Sequence, residues 1–387
     1  MRVFLAKIYA YAFFDQFILL YTSYSLLFRD SGLSEIQIGL LFAVLPVTTL
    51  IFEVPTGVLA DKYSRRLLLF CAQLVKAMGY ALWLVMPTYA GFIIGFALWG
   101  FATTLVSGTF ESFVYDELKY FNLEKTYEKI HGRIDAAKFI GMTLATLLGG
   151  LVAEFGYDKV LIPSIVAPLI AGVLILRTPA AHSIGTTGER RYWHVLKEAV
   201  IESVKNHNLL QLILYFGVVF GVMEASHEFW GLYFSERSIS LAYLGVIFAV
   251  ANGVVAVAGF SAHLWELDGK GLYGYVLIAC VSAIVLQFTP IFTTIFLSLV
   301  FSYVMQVALI KYEARMQHEI SSSQRATVTS IKSLLAQFFA FAYFVGVGVL
   351  AKYFGFASFF WLAGLIIGCI TVAYLMLHIS VLSSRSS

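Results

Sequence analysis

Charge is what this sequence has least of. Asp, Glu, Lys and Arg make up 13% of its 387 residues, against roughly 25% in a soluble domain. So few charges cannot cover a surface facing water, and with 60% of the chain apolar most of the exterior is expected to meet lipid. The apolar runs are long and continuous rather than alternating, which favours helices over a β-barrel. Cysteine is scarce too. Cys71, Cys280 and Cys369 all fall within apolar runs, leaving no disulfide framework and no thiolate metal set. There is no P-loop, no Cys/His metal spacing and no nucleophile–base set. No cofactor or resident metal is therefore expected, and neither enzyme chemistry nor ATP-driven pumping. No basic segment alternates with aromatics outside the apolar runs, so nucleic acid is not an expected partner.

A membrane-spanning helix takes about 20 apolar residues. Twelve stretches qualify, at roughly 8–27, 37–60, 67–86, 91–113, 136–153 and 160–176, then 208–233, 241–262, 272–289, 291–310, 328–351 and 356–379. The first stretch carries Asp15, is longer than a signal-peptide core and lacks a small-residue cleavage site before Arg29, so it is read as a span. The longest polar segment, 177–206, divides the chain into an N-terminal bundle, 1–176, and a C-terminal bundle, 207–387, with a cytoplasmic linker between.

Orientation follows from the placement of Lys and Arg. With the N-terminus in the cytoplasm, 21 of the 26 fall in cytoplasmic segments, and only Arg29, Lys159, Arg237 and Lys352 in the opposite loops. That asymmetry puts both termini in the cytoplasm and calls for an even number of spans. The chain also repeats itself. Residues 25–44 align without a gap to 231–250 with seven of twenty positions identical, among them Gly39/Gly245 and Ser34/Ser240. Parallel six-span repeats are a transporter architecture, suited to two halves rocking about a central site.

After the second span the chain reads FEVPTGVLADKYSRR. Gly57, Asp61, Arg65 and Arg66 fit the G-x-x-x-D-x-x-G-R-R/K loop of the major facilitator superfamily, with Ser64 where the family has glycine. On this motif, its loop and the span count, the chain resembles that superfamily. The resemblance implies an all-α membrane fold of twelve helices in two pseudo-symmetric six-helix bundles. It also implies that Asp61 meets the start of the eleventh span, near 324–327, and that Arg65 meets Asp116, latching the halves on the cytoplasmic side. On physical grounds Gly57 would allow close helix approach, and Asp61 could accept backbone N–H bonds at a helix N-terminus. The second half's copy has decayed, with His263 and Leu267 in place of Gly57 and Asp61, and Asp268 and Lys270 nearby. The family's antiporters carry G-x-x-x-G-P-x-x-G-G in the fifth span. Here Gly141, Ala145, Thr146, Gly149 and Gly150 keep the spacing without the central Gly-Pro, and the fourth-span arginine is replaced by Phe96.

Ionisable residues inside spans are costly and point to a pathway. Asp15, Glu53 and Lys76 lie at matching depths on the first three spans, a cluster that one proton could open or that could tie three helices statically. Glu224 and Glu228 are four apart on the seventh span and share a face flanked by His227; they serve as proton acceptors, as partners of a cationic substrate, or as an outer-interface pair. Glu111, near the inner end of the fourth span, belongs to the pathway or to the latch. Tyr21, Trp99 and Trp230 are candidate cavity aromatics. The function expected is alternating-access transport of a small organic solute, as proton-coupled export of amphipathic drugs or metabolites. Import of a polar metabolite or siderophore-like nutrient, and a non-transporting sensor, stay open. The expected setting is a bacterial inner (plasma) membrane, with the lipid bilayer and protons as partners and the chain a monomer.

Overall fold

The computed structural model describes residues 1–178, 207–265, 269–286, 288–319 and 325–384; the side chains of Asp61, 207–208, 269–270, 317–319, 325–330 and 377–384 fall outside the description. Among the described residues every regular element is a helix, because backbone groups in lipid must be satisfied within their own segment. The first half runs α1 (Arg2–Gln16), α2 (Tyr24–Asp30), α3 (Glu35–Phe42), α4 (Val44–Lys62), α5 (Arg65–Val85), α6 (Tyr89–Val106), α7 (Thr109–Tyr120), α8 (Tyr127–Ala153) and α9 (Tyr157–Leu176). The second runs α10 (His207–His227), α11 (Trp230–Glu236), α12 (Leu241–Ser261), α13 (Gly269–Leu286), α14 (Ile291–Glu319), α15 (Arg325–Phe354) and α16 (Ser358–Ser384). Eleven stretches among the described residues are long and apolar enough to cross a membrane, and Gly271–Leu286 is a shorter apolar helix that makes the twelfth.

Two compact units result. One holds the described residues of Met1–Arg191 with Ser238–Ala249, the other those of Tyr192–Arg237 with Val250–Ser387. In the first, α1 packs on α8 and α9, and α5 on α9 and α6. In the second, α10 packs on α15 and α16, and α13 on α16 and α14. The same pairings recur, so the halves are pseudo-symmetric bundles. The correspondence extends to the span ends. Asp30 accepts a hydrogen bond from the Tyr157 hydroxyl at the start of α9, at 2.5 Å. Glu236, 206 residues on, accepts the Phe356 N–H just ahead of α16, at 3.1 Å.

The first span departs from the single helix expected over 8–27. It stops at Gln16, is extended at Ile18 (φ −110°, ψ 102°), makes one 3₁₀ turn over Leu19–Thr22, and resumes as α2. Irregular backbone is tolerated at membrane depth only where protein covers it, and Ile18, Leu19, Leu20, Thr22 and Ser23 are all buried. A side chain picks up one freed group, Ser164 Oγ accepting the Leu20 N–H at 3.0 Å, and Thr22 Oγ1 ties the segment to α8 by donating to the Thr146 carbonyl at 2.7 Å. The small residues of α8 make room. A Cβ on Gly141 would sit 2.5 Å from the Phe13 carbonyl oxygen, and one on Gly149 would sit 2.0 Å from that of Leu19. The fifth-span spacing thus has a packing reason, the close approach of backbone to backbone. The fourth span is also divided, at Gly108, whose φ of +69° suits glycine.

Candidate functional site

The break in the first span leaves α1 with an open C-terminus inside the bundle. The last carbonyls of a helix have no intrahelical partner, and their end carries partial negative charge. A cation sits there. Lys76 Nζ, from α5, donates to the Asp15 backbone carbonyl at 2.7 Å and to Asp15 Oδ1 at 3.3 Å. The two side chains are 8% and 9% exposed. A buried charge persists only when paired and hydrogen-bonded, and here the remaining acceptor capacity is taken up. Gln16 Nε2 donates to Asp15 Oδ2 at 2.8 Å, and Gln73 Nε2 donates to Asp15 Oδ1 at 2.7 Å and to the Tyr11 hydroxyl at 2.9 Å. Tyr21 lies beside Lys76, and Tyr80 beside Tyr21.

Above this cluster lies an aromatic shell. Tyr21 stacks on Trp99 with centroids 5.7 Å apart and planes 16° off parallel. Trp99 in turn meets Tyr24, Tyr80, Trp83 and Phe96. Two of the candidate aromatics are therefore brought together next to the ion pair. Trp230 belongs to the other unit, packed on Phe359 and Phe360, where it lines a small crevice with Met223, Ser226, His227, Phe301 and Ser302.

The three-membered cluster anticipated for Asp15, Glu53 and Lys76 is a pair. Glu53 is half-buried on α4, one carboxylate oxygen is buried without a hydrogen-bond partner, and among the described residues it makes no ion pair with Lys76. Helix α4 packs chiefly on α6, whereas the pair joins α1 to α5. Glu111, in the first turn of α7, lies 4.0 Å from Lys138 of α8 and takes no part in the Arg65 contact. Glu224 and His227 are exposed. Glu228 follows the last residue of α10, and its N–H turns back to the Ala225 carbonyl, so the four-residue stacking rule stops short of it.

In the loop motif, Arg65 forms an ion pair with Asp116 and also donates to the Ser112 carbonyl at 3.5 Å. Arg66 donates to the Thr178 carbonyl at 2.8 Å. A Cβ at Gly57 would meet nothing within 4 Å, so the close helix approach expected there is absent among the described residues. The Asp61 side chain, Gln324, the side chains of 325–327, Leu267, Asp268 and the Lys270 side chain lie outside the described residues, as does 179–206 of the linker. His263 is described and exposed. Sequence reasoning missed Gln73, Gln16, Tyr11 and Tyr80. Gln73 carried one available signal, its place three residues before Lys76 on the same helical face.

Comparison with known proteins places the fold. The chain is 23% identical over 219 residues to an uncharacterized MFS-type transporter, YxaM, of Bacillus subtilis (strain 168), a match covering 56% of this chain and 55% of the relative. The chain thus spans about half the length of that curated relative. Among solved structures it is similar to the nucleoside transporter NupG, with a TM-score of 0.78, 13% identity and coverage of 98% of this chain and 99% of that one. A bacterial homolog of the human lysosomal transporter Spinster gives 0.72 at 16% identity, covering 97% and 96%. A POT family transporter gives 0.71 at 13% identity, also covering 97% and 96%. At such identities the likeness speaks for the fold alone. The family model described as Major Facilitator Superfamily, however, matches residues 5–310, most of the chain, and by that match the protein belongs to the Major Facilitator Superfamily of membrane transporters.

Proposed function

We propose that this chain is a secondary transporter that moves a small organic solute by alternating access and couples that movement to protons at the Asp15–Lys76 pair. The observation that carries the reading is the placement of this pair at the interrupted first span. Discontinuous spans near the membrane midplane are where transporters hold substrates and coupling ions. An ionised pair sealed from water there is justified by function more readily than by stability, since an apolar pair of similar volume packs as well. One proton on Asp15 removes the charge that holds Lys76, which is the local event a coupling site needs. Tyr21 and Trp99, stacked beside the pair, offer an aromatic surface next to it.

The direction proposed is export of amphipathic molecules, for which the stacked Tyr21 and Trp99 offer a surface. Its halves are 1–176 and 207–387 joined through 177–206, both termini are cytoplasmic as the Lys and Arg distribution requires, and the chain works as a monomer in a bacterial inner membrane. Arg65 and Asp116 serve a cytoplasmic latch with Asp61. Glu224, His227 and Glu228 are further candidates for proton or substrate contact. Import of a polar metabolite is the second reading, supported by the fold likeness to a nucleoside transporter and by Phe96 in place of the fourth-span arginine.

Proteoliposomes with an imposed pH gradient test both. Flux of an amphipathic cationic dye and of a radiolabelled nucleoside is followed in each direction, with Asp15→Asn and Glu224→Gln beside the wild type. Gradient-driven dye export lost in Asp15→Asn supports the reading. Nucleoside uptake without dye export reverses the direction, and full proton-linked flux in both variants sinks the coupling role.

A further inference from the structure

The amide of Gln73 is oriented at a cost. The residue is fully buried; its Nε2 spends both hydrogens on Asp15 and Tyr11, while its carbonyl oxygen Oε1 is buried with no hydrogen-bond partner. An ionised carboxylate only accepts, so a turned amide would set Oε1 against Asp15 Oδ1, oxygen against oxygen. The side chain therefore satisfies Asp15 and leaves its own acceptor unpaired, the kind of exception that buried polar groups rarely make without a reason. Tyr11 suits either orientation, because its hydroxyl can accept from Nε2 or donate to Oε1.

We propose that Gln73 is a positioning residue that reads the protonation state of Asp15 by turning its amide, and so sets the acidity at which the Asp15–Lys76 pair opens; this rests on the coupling role proposed above. With Asp15 ionised, Nε2 faces the carboxylate, as observed. When a proton is added to Oδ1, the carboxyl group becomes a donor, and the turned amide accepts from it through Oε1 while Tyr11 donates to the same oxygen. Lys76 then loses its ionic hold and keeps the Asp15 backbone carbonyl, with Tyr21 beside it. The titratable groups around Asp15 are Lys76 and Tyr80 of α5, Tyr21 in the 3₁₀ turn and Tyr11 on α1. Glu111 of α7 lies beyond Tyr11, with Lys138 of α8 next to it. From α9, Ser164 bonds the interrupted backbone at Leu20.

The test uses the purified full-length protein and needs no substrate. Infrared difference spectra recorded across a pH series follow the carboxylic C=O band that Asp15→Asn removes. In Gln73→Met, of similar length and without a donor, that band should titrate about one pH unit higher, because a charge-assisted bond to the ionised form is lost and only a weaker neutral bond to the protonated form. The amide carbonyl change accompanying the titration should vanish with it. Gln73→Asn, too short to reach, should shift the band the same way by a smaller amount, and it decides the matter if Gln73→Met does not fold. A band that titrates at the wild-type pH, or lower, in these variants overturns the role of Gln73 and leaves the ion pair as coupling site. A wild-type band that does not titrate removes the coupling role itself.

Discussion

The two units share a packing plan and differ in what they bury. In the first, Asp15, Gln73 and Lys76 form a charged cluster at the break in α1. At the positions 206 residues on, the second unit has Gly221, Ala279 and Ser282. A fully buried polar cluster there is neutral: Tyr215 donates to Tyr312 at 3.2 Å and shares a hydrogen bond with Thr371 at 3.0 Å, with Tyr273 and Tyr374 packed around them, while the ion pair Lys332–Glu313 is only part-buried. Its first helix also runs on, from His207 to His227, through the level where α1 has already stopped. The repeat has kept the helix pairings, which any substitution must respect because interiors are close-packed. It has not kept the charged cluster, whose three positions carry Gly221, Ala279 and Ser282 in the second copy. Asymmetry of this kind locates function better than symmetry does.

The largest test of that contrast is Lys76→Met. An uncompensated carboxylate in the first unit should cost about 3–5 kcal/mol of stability at neutral pH, read as a fall in the unfolding temperature of the purified protein. Acidification should return part of it by neutralising Asp15, and Asp15→Asn combined with Lys76→Met should return more. The matched Ser282→Met in the second unit should stay well below that cost; equal losses would erase the distinction between the units. Next come the shared packing contacts. Gly149→Ala would place a Cβ 2.0 Å from the Leu19 carbonyl oxygen, and Gly221→Ala one 2.3 Å from that of Ala336. Each should cost about 1–3 kcal/mol by overpacking, and a large difference between them in denaturant unfolding would show that the crossings are not equivalent.

Smaller again is Tyr312→Phe, which removes one neutral hydrogen bond worth about 1 kcal/mol. It should leave the pH profile of proton-linked flux unchanged, and a displaced profile would bring the second unit into the coupling. Smallest is Gly57→Ala, with open space around the added methyl. A loss of stability would contradict that openness, because within α4 alanine is favoured over glycine by up to about 1 kcal/mol.

The spans were legible because lipid leaves a long uninterrupted apolar signature, and Arg65 with Asp116 because the family resemblance implied that contact. Asp15 and Lys76 could be matched by depth, since rise per residue converts position to height. Height does not say which way a helix faces, and so Glu53 was drawn into a cluster that it does not join. The break after Gln16 left no mark in the apolar run, as neither proline nor glycine stands at Phe17 or Ile18. It depends on Ser164 reaching in from α9 and on the Thr146 carbonyl of α8 accepting from Thr22, which no local window contains.

The reach of the ion pair along the chain has a consequence for how the protein is made. Asp15 and Lys76 are 61 residues apart, so the ribosome delivers the first span to the membrane with its acid still lacking a counter-charge. An Asp at mid-span costs about 2.5–3.5 kcal/mol to insert. That cost weighs on the nascent first span until the third span emerges and brings Lys76 to it.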